Sequence, residues 1–317
     1  MNTSMNFDLF KESVIQVLKE KLGEGYEIFT DNVQKNNGIV LNGIIIKEKD
    51  RNASPTIYAE DFYEEYKRGV SIKQIGEVIY DIFMENRYLE SVDLSRFNSY
   101  EKAKGQIAYK LINYEKNWKL LQEIPHRIFY NLALVFYYVV KEPPFCGKAS
   151  ILVTHKHLKY WEVEEEELYR NAIKNTPLLF PPQIRNIEDV MYGLAKRETP
   201  EIGFIKDMIA QLKKELGEEF EQVPMYVLTN HQNHYGASCM LYSDVIKDFA
   251  KKMEKNLYIL PSSIHEVILL PDDESQTKEE LLEMVTDINR TQVEECEVLA
   301  DSVYYYHKEK DYMERLC

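Results

Sequence analysis

From Met225 onward the chain sets short apolar segments beside connections of only a few residues, and this spacing restricts its fold more than any other feature. MYVLTN and YGASCMLY read as two strands about a turn. LYIL and IHEVILL follow as a second pair about Pro261-Ser262-Ser263, and VYYYH closes the series. A parallel crossover needs a dozen or more residues, so connections this short require antiparallel pairing. Between the pairs, Ser243 stands in capping position before Val245, Ile246, Phe249, Ala250 and Met253 at helical spacing. Thr277 and Glu280 have the spacing of a capping box ahead of Leu281, Leu282, Val285 and Ile288. The expected order is ββαββαβ. The expected class is α+β, with antiparallel or mixed sheets and helices on one face.

Upstream, Phe7, Phe10, Val14, Val17, Leu18 and Leu22 recur at helical intervals, which predicts a folded first helix and not a signal peptide. YEIFTDNVQK alternates in period two and meets Asn37-Gly38, a hairpin dipeptide, with a return strand from Ile39 to Lys47. Asn42-Gly43 interrupts that return, so a bulge or a close backbone approach is expected there. AEDFYEEYKRG and SIKQIGEVIYDIFMEN read as helices separated by Gly69. The apolar run from Ile128 to Val140 reads as one central strand buried on both faces. It is well short of the roughly 20 residues a bilayer requires. Pro143-Pro144 and Gly147 mark the first plausible boundary, dividing an N-terminal α+β domain, 1–145, from a C-terminal one, 146–317.

Charge narrows the partners. The 39 Lys and Arg against 53 Asp and Glu leave a formal charge of −14, which repels phosphate backbones and anionic membranes alike. Neither nucleic acid nor a membrane is an expected partner. Cysteines at 146, 239, 296 and 317 form no C-x-x-C pair and read as the sparse free thiols of cytoplasm.

Familiar catalytic templates each lack a part. Gly23-Glu24-Gly25 leads into a strand, not a phosphate-holding helix, and Gly147-Lys148 lacks the remainder of a phosphate loop. His265-Glu266 begins like a zinc-protease signature, but Leu269 occupies the place of the second His. Gly236-Ala237-Ser238 runs into Cys239 and Met240, not a nucleophile elbow. No cofactor is expected.

Three clusters remain. Ser262, Ser263, His265 and Glu266 supply the parts of an activated nucleophile. Strand alternation nevertheless sets His265 with Val267 and Leu269, and Glu266 with Ile264 and Ile268, so Glu266 is not expected to orient His265. Turn serines bonded to backbone and a satisfied sheet histidine are the simpler account. His231, His234 and Cys239 are residue types that zinc prefers. On an extended strand, however, Cys239 would lie roughly 16 Å from His234 and on the other face. Asn113, Asn117, His126, Arg127 and Asn131 punctuate an apolar stretch, where such groups either knit a core or line a pocket. Asn113, His126, Arg127 and Glu266 are the candidates for binding. His155 and His157 follow Thr154, a helix cap, and Glu164 to Glu167 read as a solvated first turn.

PTIYAEDFYEEYKRG, NYEKNWKLLQEIPHR, ILVTHKHLKYWEVEEEELYRNAIKNTP and the stretch from MYVLTN through YGASCMLY to LYILPSSIHEVILLP resemble the domain-of-unknown-function family DUF5688 of intestinal Clostridia. Val163 departs from the capping hydroxyl expected there. A more distant resemblance is to the YtpQ-like family, where a Pro-His-Gln-Asp turn occupies the place of Pro261 to Ile264. The resemblance implies no activity. The expected function is a non-catalytic binding or regulatory module contacting other proteins. The alternatives are a hydrolase using Ser262 or Ser263 with His265, and a metal-binding protein using His231 and His234. Oligomeric state is not set by the sequence.

Overall fold

The computed structural model describes residues 5–87, 93–141, 149–187, 189, 224–274 and 276–317. The chain divides into two compact units. One is formed from residues within Met1–Lys35 and Ile39–Ser95; the other takes in Asn36–Gly38, Arg96–Val140 and Ala149–Cys317. The boundary expected at 145/146, with Pro143-Pro144, Cys146 and Gly147-Lys148, lies outside the described residues.

The first unit is a three-stranded antiparallel sheet with helices on one face. Helix α1, Phe7–Leu22, starts at Asn6, whose side chain accepts from the Leu9 N–H, and buries Phe10, Val14 and Leu18. Strands β1, Tyr26–Gln34, and β2, Val40–Glu48, pair without interruption from Tyr26↔Glu48 to Gln34↔Val40. Gly43 is therefore not a bulge. It marks a close approach, since a Cβ there would stand 2.5 Å from Thr56 Cγ2 of β3, Thr56–Tyr58. Helices α2, Glu60–Lys67, and α3, Ile72–Asn86, flank Gly69 at φ 104. Ile28, Ile44, Ile46 and Ile57 of the sheet meet Phe10, Val14, Leu18, Ile75, Ile79 and Phe83 in one core.

The second unit begins with α4, Tyr100–Ala103, and contains two further antiparallel sheets. In the smaller, β4, Ile107–Asn113, pairs with one edge of β6, Leu132–Val140, and β5, His126–Phe129, with the other. The short helix α5, Trp118–Leu121, connects β4 to β5. Strand β7, Ala149–Leu152, also pairs β6. The run from Ile128 to Val140 is thus a hairpin and not one strand. Apolarity gave no sign of the turn because Tyr130, at φ 54, and Asn131 make it without Gly or Pro. Strand β6 itself is buried along its whole length, as expected of a central strand.

Helix α6, His155–Trp161, opens with Thr154 and His157 in a capping box, which accounts for one of the paired histidines. Helix α7, Glu165–Leu179, follows from Glu164 and anchors on β4, where Thr176 Oγ1 accepts the Tyr109 N–H at 3.0 Å. The larger sheet runs β13-β12-β10-β11-β9-β8, from β8, Pro182–Asn186, and β9, Tyr226–Asn230, through β10, Leu257–Leu260, and β11, Val267–Pro271, to β12, Tyr304–His307, and β13, Tyr312–Arg315. Helix α8, Val245–Met253, precedes β10, and α9, Lys278–Thr291, follows β11. Leu281, Met284, Val285 and Ile288 of α9 pack on Val227, Leu260, Ile268 and Leu270. Phe249 of α8 meets Tyr226, which alternation turns to the opposite face.

The order after Met225 therefore differs from ββαββαβ in two places. YGASCMLY contains a 3-10 helix, Gly236–Leu241, not a strand, and β13 extends the sheet beyond VYYYH. Gly236 to Met240 are all buried, so no polar alternation marks their conformation. Ser243 does not cap α8 either. Asp244 holds that position in the left-handed region, with no side-chain cap. The Thr277–Glu280 capping box is present. Among the described residues no helix is long and apolar enough to cross a membrane.

Gly76 gives the first unit a direct test. A Cβ on it would lie 2.5 Å from Val17 Cγ1 and 3.1 Å from Val17 Cβ, so α1 and α3 approach through the missing side chain. On an open helix Gly→Ala would stabilise by up to about 1 kcal/mol. Here Gly76→Ala is expected to destabilise by about 1–3 kcal/mol. A double-mutant cycle with Val17→Ala is expected to recover about 1 kcal/mol as coupling. Urea unfolding checks both, and a raised midpoint for Gly76→Ala would refute the close approach.

Candidate functional site

The turn between β10 and β11 lies against an irregular segment, residues 294–302, within the second unit. Ala300 and Leu299 donate their N–H groups to Pro261 O at 3.0 Å and Ser262 O at 2.9 Å. Ser263 bridges Val298, and Ile264 donates to Glu297 O at 2.9 Å. The turn is thus paired like a strand although neither segment reads as one.

Asparagines hold the partner segment in place. Asn37, at φ 60, donates through Nδ2 to Glu295 O at 2.8 Å and Val298 O at 2.7 Å, and Asn36 Nδ2 donates to Cys296 O at 3.0 Å. Asn113 Nδ2 donates to Leu299 O at 3.0 Å, and Asn289 Nδ2 to Ala300 O at 3.1 Å. Asn117 completes the network, accepting the Asn37 N–H at 2.8 Å and donating to Asn37 Oδ1 at 3.0 Å. Asn131 Nδ2 reaches Ser302 Oγ at 3.0 Å, and the Tyr304 hydroxyl bonds Asn131 Oδ1. Buried carbonyls outside a ladder need such donors, and the short amide side chain supplies them locally.

This arrangement brings Glu297 to His265. Their Oε1 and Nε2 are 3.3 Å apart, while His265 Nδ1 accepts the Tyr235 N–H at 3.2 Å. The backbone donor leaves Nδ1 as an acceptor, so the ring proton sits on Nε2, facing the carboxylate. Thr229 Oγ1 donates to His265 O at 2.8 Å. Tyr235 itself is left-handed at φ 53, and Gly236 follows because a Cβ there would strike Thr229 Oγ1 and His265 O. The Lys110 ammonium stands 4.0 Å from the Tyr235 ring centre.

Of the predicted nucleophile group, Ser263 Oγ accepts the His265 N–H at 3.0 Å and bonds the Glu266 side chain. Ser262 is buried, and its Oγ has no hydrogen-bond partner among the described residues; the same holds for Glu266 Oε1. The ring nitrogens of His265 point to Tyr235 and Glu297, not to either serine. The acid that approaches the imidazole is Glu297, not Glu266, which agrees with strand alternation.

Burial governs the titration of this cluster. Glu266 is only 2 % exposed, and burial pushes its carboxyl from 4.5 up to about 7, against the lowering effects of His265 and Ser263. Burial alone would depress His265, but the Glu297 hydrogen bond and the charges of Glu266 and Glu297 outweigh it and raise the pKa. A second ring proton would confront the Tyr235 N–H, which opposes that gain at Nδ1. His234, with its ring centre 5.4 Å from that of His265, is lowered to about 4 by burial and by neighbouring positive charge, and so stays neutral.

The other candidates separate. His231 is exposed and donates its N–H to Pro181 O, whereas His234 is fixed through Asn230 Nδ2 to its carbonyl at 2.8 Å. Cys239 is buried in the 3-10 helix, its thiol pushed up to about 12 by burial. Among the described residues no group of three or more His, Cys, Asp or Glu is placed to hold a metal. Asn113 reaches the Pro261 turn through its partner segment, but His126 and Arg127 have other partners. His126 Nδ1 faces Ile124 O at 3.1 Å, and Arg127 pairs with Glu166 at 2.7 Å over the Tyr169 ring. Sequence reasoning missed Glu297, Tyr235 and Lys110; the paired amides Asn113 and Asn117 were the available signal.

A family model described as a family of unknown function, DUF5688, matches residues 7–308. No curated protein and no solved structure matches the chain.

Glu266 makes stability depend on pH in a definite direction. Its folded pKa lies above its unfolded one, so its contribution is complete below about 4.5 and is lost as pH rises through about 7. His265 acts in the same sense, from its unfolded pKa upward. Glu266→Gln is expected to flatten the stability slope between pH 5 and 8 by about 3 kcal/mol. It should match or exceed the parent at pH 8. Urea unfolding across that range checks this, and parallel slopes would count against a buried ionisable Glu266.

Proposed function

The chain belongs to the DUF5688 family, a family of unknown function, and we propose that it is a non-catalytic binding module contacting other proteins. The observation carrying this reading is the engagement of both His265 ring nitrogens, one by a backbone N–H and one by a carboxylate. A general base needs a nitrogen directed at its nucleophile, and Ser263 Oγ instead accepts a backbone proton. The Ser263 hydroxyl and the His265 imidazole brace the turn.

What remains for function is the surface. The second unit exposes Trp118, Ile128, Tyr130 and Tyr312, and Ile128 on the short strand β5 is 61 % exposed. Aromatic and large apolar side chains on a folded surface are the usual anchors of protein interfaces. The charge of −14 disfavours nucleic acid and anionic lipid as partners. A cytoplasmic location is in keeping with free thiols at Cys239 and Cys317.

A serine-reactive phosphonate probe tests the reading on the folded chain. No adduct is expected at Ser262 or Ser263, and labelling abolished by His265→Ala would replace this reading with the hydrolase one. Affinity capture from the native host is expected to recover a reproducible partner that Ile128→Asp weakens. Repeated recovery of none would refute the binding role.

A further inference from the structure

Strands β10, β12 and β13 project Tyr258, Tyr305, His307 and Tyr312 onto one face of the larger sheet. Register fixes this, since Tyr258 lies opposite Tyr305, Tyr305 opposite Glu314, and His307 opposite Tyr312. Consecutive ring centres are 4.9, 4.8 and 6.2 Å apart, which makes a continuous aromatic strip across three strands. Further along the same face, α9 covers Leu260, Ile268 and Leu270. Tyr258 packs against the edge of that core, and beyond it the strip opens: Tyr305 and His307 are half-buried, and Tyr312 is 50 % exposed.

Carboxylates border the strip. Asp272 accepts the Tyr305 hydroxyl at 2.5 Å, and Glu314 Oε1 meets His307 Nε2 at 2.6 Å. Asp272 and Asp273 add their charges to burial in raising the Tyr258 hydroxyl. Two neighbouring cations, just after β12 and on β13, are directed elsewhere. Lys308 Nζ bonds Glu254 O at 3.2 Å and pairs with Glu309 at 3.3 Å. Arg315, opposite Tyr304 in register, belongs to the other face.

Ring faces carry negative potential, and a guanidinium or ammonium group is held best where such faces meet carboxylates. We propose that this strip docks a lysine- or arginine-bearing segment of a partner protein, with its cationic side chains over Tyr305, His307 and Tyr312 and paired to Asp272 and Glu314. The proposal rests on the binding reading above and adds the chemistry of the partner. Anionic segments are excluded by the same carboxylates, and a purely apolar one would desolvate them without bringing a cation to offset the cost.

Fluorescence anisotropy with the full chain tests it. The probe is a labelled Gly/Ser peptide carrying two arginines, compared with its glutamate counterpart. The arginine peptide alone is expected to bind, more weakly at higher salt. Tyr312→Ser and Glu314→Gln are each expected to lower its affinity by about five-fold, with Glu12→Gln in the first unit leaving it unchanged. Thermal melting confirms that the variants remain folded. Equal binding by parent and Tyr312→Ser, an equal loss in Glu12→Gln, or no binding of the arginine peptide overturns the proposal. If a host partner is still captured by Tyr312→Ser as by the parent, this docking site fails while the binding reading stands. Absence of any partner removes the reading itself.

Discussion

The second unit depends on side-chain amides taking the place of a backbone ladder. Residues 295–300 pass from the surface at Glu295 into the interior at Val298 to Ala300 without regular structure, yet the carbonyls of Glu295, Cys296, Val298, Leu299 and Ala300 each accept from an asparagine. An unpaired buried carbonyl costs on the order of 1–3 kcal/mol. Three of the five bonds, to Val298, Leu299 and Ala300, are buried, and leaving those carbonyls unpaired would remove a large share of the stability of an ordinary domain. The amides of Asn36, Asn37, Asn113 and Asn289 remove that cost and, in doing so, set where the segment runs.

That constraint determines the chemistry of the Pro261 turn. With the segment held, Leu299 and Ala300 pair with Ser262 and Pro261, and Glu297 arrives beside the imidazole of His265. The result superficially contains a serine, a histidine and two acids within one small region. In it the histidine bridges Tyr235 and Glu297, and Ser263 accepts the His265 N–H within its own turn. Glu266 is the exception. It is buried with one oxygen lacking a partner, and its burial is tolerated because the carboxyl stays protonated, and so uncharged, up to near neutrality.

Much of the fold was legible where periodicity and local chemistry agreed. The first helix, the Asn37-Gly38 hairpin, the Thr154 and Thr277 caps and the apolar spacing of α9 all declare themselves within a few residues. Two places differ for different reasons. In Gly236–Leu241 nearly every side chain is buried, so no solvated face reveals the period of the 3-10 helix, whereas the turn at Tyr130 is hidden because the residues it exposes, Ile128 and Tyr130, are themselves apolar or aromatic and read as a continuation of β6. Tyr130 keeps its positive φ through tertiary contacts, its hydroxyl donating to Met313 O at 2.6 Å and its ring lying 5.8 Å from that of Tyr304.

The candidate site divides in the same way. From the sequence alone came the α+β class, the antiparallel pairing, the divergence of His265 from Glu266 and the need of Asn113 and Asn117 for partners, since each follows from spacing or from the polarity of one residue. Only the tertiary structure decided that Glu297 meets His265, that Asn37 reaches Val298 across 261 positions, and that His126 and Arg127 lie with other partners. Local rules act over one turn of helix or one strand pair. Contacts between distant segments are chosen by burying all their polar groups at once, and no single window of residues contains that condition.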